Sequence, residues 1–143
     1  MIHHLPFSYR PLDHECDKAT NSYLMSVIAV IAGLPFPIVN LIATFFFYYA
    51  HRNSTYFVRW HCTQALVSQF LLFFFNSYSF WWTIGVVLGK AELSNLYISY
   101  MLTIIIVNTI EFITTIYTAI QVRKGHHIEW WLCAPISHLI CKV

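Results

Sequence analysis

The chain has 143 residues, enough for one domain, and its composition excludes an ordinary soluble one: 58% is hydrophobic, 18% aromatic and only 10% charged, against roughly 25% charged in a typical soluble domain. So little charge cannot coat a water-exposed surface. The net charge of +2 and the absence of a long basic run give nucleic acid no footprint.

Residues 1–20 carry Pro6 and Pro11 and read as a polar, extended surface tail. The tail lacks a basic n-region and a small-residue cleavage site, so it does not read as a signal peptide. Residues 21–121 form the helical membrane domain and 122–143 an interfacial C-terminal tail. Within the domain charge almost vanishes: there is none from Asn21 to Ala50, only Arg59 between Val58 and Lys90, and only Glu111 from Leu93 to Val122. A spanning helix needs about 20 predominantly apolar residues. The expected class is therefore an all-α, polytopic helical membrane protein with three to four transmembrane spans.

The first apolar segment, Ser22 to Ala50, would be about 42 Å long as one helix, too long for a straight crossing. Gly33-Leu34-Pro35-Phe36-Pro37 is where it must bend, because each proline removes a donor and clashes with the preceding turn. A kinked span is favoured over a re-entrant hairpin. After the polar loop His51–Thr55, with Ser54 or Thr55 as N-cap, a second helix begins near Tyr56 and runs to Phe75. Asn76-Ser77-Tyr78-Ser79 is expected to interrupt it before the apolar stretch Phe80 to Gly89, which is too short to cross alone. Tyr97 to Gln121 is the clearest span. Gly85 and Gly89 match a small-xxx-small contact pattern, and the five tryptophans suit interface belts. In the three-span arrangement Arg52, Arg59, Arg123 and Lys124 share the cytoplasmic side, opposite the N-terminus and Lys90.

Glu111 is the residue that demands an explanation. A carboxylate at bilayer depth is expensive, so it must face protein or water. Asn108, Glu111 and Thr115 share one helical face, and Arg59, His61, Gln64 and Ser68 supply polar groups on the second helix. Asn40, Arg59, His61, Gln64, Asn108 and Glu111 are expected to form a structural polar cluster, with Glu111 bonded to Gln64 or His61. A packing role outweighs a proton relay, since no second carboxylate lies in any span.

No catalytic, cofactor or metal site is expected. The histidines fall in adjacent pairs or far apart, without the compact Cys/His spacing of a zinc site, and the four cysteines show no CxxC. HExxH, GxSxG, P-loop and CxxCH motifs are absent. Membrane lipids and other membrane subunits are the expected partners; a small-molecule ligand is left open.

The run Tyr56-Phe57-Val58-Arg59-Trp60-His61-Cys62-Thr63-Gln64-Ala65-Leu66 resembles the F-V-R-[FW]-H-x-x-Q-A-L box of a bacterial family of small membrane proteins. That family is related to the twenty-kilodalton membrane subunit of the chloroplast inner-envelope protein-import translocon. The segment Pro37 to Arg52 and the closing NTIEFITTIYTAIQVRKGHHIEWW are similar to it as well. The resemblance implies a non-enzymatic accessory subunit of a bacterial inner-membrane complex, linked to protein translocation. The alternative is a small oligomeric channel or transporter with a polar pathway around Glu111 and His61.

Overall fold

The structure, a computed structural model, describes residues 2–5, 9–33 and 37–141, with the side chains of 2–5, 29–33 and 37 outside that description. In chain order the elements are β1 (Ile2–Leu5), α1 (Asp13–Gly33), α2 (Pro37–His51), α3 (Tyr56–Val87), α4 (Asn95–Arg123), β2 (His127–Trp130) and α5 (Ala134–Ile140). The helices dominate, as their apolar runs require, and α3 and α4 are long and apolar enough to cross a membrane. Among the described residues two such helices stand where three or four spans were expected.

The first apolar segment accounts for that difference. α1 stops at Gly33 and α2 starts at Pro37, with residues 34–36 outside the described ones. The helices do not continue in one direction as a kinked span would. They fold back on each other, with Ser26 Oγ 3.5 Å from Thr44 Oγ1, so the segment is a helical hairpin. α1 also begins earlier than the extended tail allowed. The Leu12 N–H donates to Glu15 Oε2 at 2.8 Å, which satisfies a donor that would otherwise be orphaned at the helix start. Burial works against the charge on Glu15, but this bond and one from the Thr55 hydroxyl outweigh it and hold the carboxyl below its usual range. Thr55 occupies the N-cap position of α3 without capping it.

α3 passes through Asn76–Ser79 unbroken. The polar run is a contact rather than a loop: Asn76 and Asn108 donate to each other's side-chain oxygens at 3.0 and 2.8 Å. Just past the end of α3, Gly89, with a φ of 68°, lets the chain leave the helix while Lys90 N–H still reaches Gly85 O at 2.8 Å. Gly85 faces Ala91, at 3.5 Å from an added Cβ, so the glycine pair serves this turn rather than a helix crossing. Gly125, φ 80°, closes α4 in the same way, and the chain then enters β2. β1 and β2 pair antiparallel, Ile2 opposite Trp130 and Leu5 opposite His127. The N-terminal strand, the start of α1, the 51–55 loop and the tail therefore gather at one end of the bundle, and the 88–94 turn lies at the other.

Candidate functional site

Where α1, α3 and the tail meet, one buried hydrogen-bond network ties the tail to the bundle. α1 turns Cys16, Ala19, Tyr23 and Ser26 inward at helical spacing, all buried. α3 contributes Phe57, Trp60, His61 and Gln64 from its first turns, also buried. Gln64 uses both ends of its amide. Nε2 donates to Tyr23 Oη at 3.0 Å and to the Ile128 carbonyl at 3.2 Å, and Oε1 accepts the Trp130 N–H at 3.0 Å. Trp130 Nε1 donates to Thr118 Oγ1 of α4 at 2.8 Å.

From the same point a row of rings runs outward. Tyr23 Oη lies 2.9 Å from His61 Nδ1, His61 Nε2 lies 3.2 Å from His127 Nδ1, and His127 Nε2 lies 3.1 Å from Glu129 Oε1. Glu129 Oε1 also meets His138 Nε2 at 3.0 Å, and His138 Nδ1 accepts from Trp60 Nε1 at 3.4 Å. The donors fix one consistent assignment. Indole N–H can only donate, so His138 carries its proton on Nε2 and gives it to Glu129. Tyr23 already receives the Gln64 amide, so it donates to His61; His61 donates to His127, and His127 to Glu129. Both nitrogens of His61 and of His127 are used in this assignment, and Glu129 Oε1 is the terminal acceptor. Burial lowers the His127 pKa against the pull of Glu129, in keeping with the neutral ring.

Deeper in the bundle the polar residues form separate layers. Gln69 Nε2 donates to Glu111 Oε1 at 2.6 Å, Thr115 Oγ1 donates to the same oxygen at 3.1 Å, and Asn40 Nδ2 donates to Gln69 Oε1. The Asn76–Asn108 pair lies below. The six residues expected to cluster are thus divided. His61 and Gln64 join the tail network, Asn40 and Glu111 meet through Gln69, and Asn108 pairs with Asn76. Half-buried Arg59 lies near the Tyr56 ring, 5.9 Å from its centroid, in none of these layers. Glu111 bonds Gln69 rather than Gln64 or His61, because α4 continues to Arg123. That puts Glu111 about 18 Å from its end, level with Gln69 at about 20 Å along α3 and well below Gln64 at about 12 Å. Tyr23, His127, Glu129 and His138 were missed, since nothing local in a polar tail signals that it folds back under a helix.

With Glu111 Oε1 accepting from both Gln69 and Thr115, Glu111→Gln keeps an acceptor for both donors and should be nearly silent. Glu111→Leu strands Gln69 and Thr115 and should cost about 1 kcal/mol, in the range of inter-helix hydrogen bonds in membranes. Thermal unfolding of the two variants in detergent measures the difference; equal losses would remove the carboxylate oxygen from the account.

These features define a class: a small helical membrane protein whose interior is sealed by polar layers and whose chain ends are clasped together beneath it. The chain belongs to the MamF/MmsF magnetosome magnetite crystal formation protein family, whose profile matches residues 19–137. No curated protein matches the chain, and no solved structure does. The family match corrects the resemblance drawn from the Tyr56–Leu66 box. The box describes an aromatic, basic helix entrance followed by buried His61 and Gln64, and this chain uses it to bind its own tail. Protein translocation falls away with that resemblance. So does the channel or transporter reading, which the family does not support and whose polar residues are here spent on one another.

Proposed function

We propose that the protein is a non-enzymatic component of the membrane enclosing the magnetite-forming compartment, and that it influences crystal formation through lipids and other membrane subunits. The observation that carries this reading is the family match across residues 19–137, which takes in α2, α3, α4 and most of α1 and the tail. Two spans, α3 and α4, cross the bilayer, and the α1–α2 hairpin enters it from the clasped end. Charge supports that topology: among the described residues Arg10, Lys18, Arg52, Arg59, Arg123 and Lys124 lie at the clasped end and Lys90 at the other. The positive-inside rule assigns the clasped end to the cytoplasm. The N-terminus then shares that side, contrary to the three-span arrangement. The far end offers only a short turn with one acid, Glu92, so action through the membrane is favoured over templating mineral on a protein face. The inner membrane is the expected source of the enclosing bilayer.

Deleting the gene in a magnetite-forming host should alter crystal size or number in electron micrographs. The intact chain should restore both and fractionate with the crystals. Unaltered crystals, or fractionation elsewhere, would overturn the assignment.

A further inference from the structure

The bundle has different widths at its two ends. At the clasped end α1 and α2 lie against α3 and α4, bonded through Tyr23 to His61, Thr20 to the Ala119 carbonyl and Asn40 to Gln69. Buried α3 residues are almost continuous from Phe57 to Gln69 and beyond that are reduced to Ser79. On α4 the buried residues are Thr115, Thr118, Ala119 and Val122, all toward the clasped end. Beyond Leu71, which still packs against the clasped-end core, the described side-chain bonds of α3 to other helices run to α4, through Asn76–Asn108, Ser79–Met101 and Thr83–Tyr97. Four helices, the two-stranded ribbon and α5 therefore occupy one end, and two helices the other.

The change of width falls near the middle of the bilayer. α3, with 32 residues, is about 48 Å long, and Gln69, which carries the deepest described side-chain bond to α2, lies about 20 Å from its clasped end and so close to its midpoint. α2 is about 22 Å long, too short to cross, and Ile38, Ile42, Phe45, Phe46 and Tyr49 form an exposed apolar stripe along it. That stripe can meet only acyl chains of the clasped-end leaflet.

We propose that this protein is a leaflet-asymmetric wedge: it displaces more lipid from the leaflet at its basic, clasped end and so favours membrane in which that leaflet is convex. The inference rests on the two-span topology with a half-depth hairpin. With the clasped end cytoplasmic, the favoured shape is a small vesicle lying inside the cell, the geometry a closed mineral compartment requires.

The test uses the full chain carrying a terminal fluorophore, reconstituted in giant vesicles of phosphatidylcholine and phosphatidylglycerol. An impermeant quencher separates the two orientations, and a narrow tether is pulled outward. Molecules with the clasped end outside should be enriched in the tether several-fold over the parent vesicle, and those with it inside depleted. Replacing Ile42, Phe45, Phe46 and Tyr49 by alanine narrows the wide half and should reduce the enrichment. Replacing Phe74, Phe75 and Trp81 by alanine narrows the other half and should increase it. Equal partition of both orientations, or both trims moving the ratio the same way, overturns the wedge. Neither result touches the crystal phenotype of the deletion, so the two failures are separable.

Discussion

Gln64→Leu should release the C-terminal tail and cost about 3 kcal/mol, because buried polar groups left without a partner cost about 1–3 kcal/mol each. The substitution orphans the Trp130 N–H and the Ile128 carbonyl, and it removes the Tyr23 hydroxyl's only amide donor. Leucine fills much of the same space, so packing loss adds little. Gln64→Glu should fall between leucine and the parent, keeping the acceptor for Trp130 while losing both donations. Thermal unfolding in detergent reads the stability, and limited proteolysis around residues 124–133 reads the tail. A Gln64→Leu protein with parental stability and a protected tail would show that the clasp is held by apolar contact alone.

Acid should open the same clasp. Burial holds the His127 pKa below the ordinary histidine value of about 6.5, so the folded chain keeps this ring neutral while the unfolded chain takes up a proton. The stabilisation is complete above about pH 6.5 and is lost as pH falls through that value toward the lower folded pKa. Geometry explains the penalty. A proton on His127 Nδ1 would face the His61 Nε2–H, donor against donor, 3.2 Å away. Glu129 and His138 also face this ring from the tail: Glu129 opposes the downward shift and His138 adds to it. Tail proteolysis should therefore accelerate between about pH 7 and about pH 5, and His127→Gln should flatten that dependence. An unchanged profile in the variant would place the titrating group elsewhere.

The long apolar helices were readable in their scarcity of charge, which marked most of α3 and nearly all of α4. The proline cluster marked the break between α1 and α2. Its consequence was not readable, because Gly33–Pro37 allows either a bend or a reversal, and the choice rests on Ser26 meeting Thr44 across the hairpin. Asn76–Ser79 misled for a related reason. A polar run breaks a helix when its side chains compete for the backbone, and here Asn76 is occupied by Asn108. Glu111 signalled that it needed a partner, and its exact level depended on two further residues of helix before Gly125. The ribbon had no local signal at all, since four-residue strands joined across nearly the whole chain are specified by what they meet.

That ribbon also bears on the order in which the molecule assembles. Ile2–Leu5 cannot find His127–Trp130 until everything between them is in place, and contacts so distant in sequence form late because the intervening chain must first be closed into a loop. Until then each strand is an open edge able to pair with another chain. In the proposed two-span topology, a molecule with only one span inserted would hold its two ends on opposite sides of the bilayer and leave both edges exposed. Completed insertion would then be the condition for closing them, and the ribbon a built-in report that both crossings have been made.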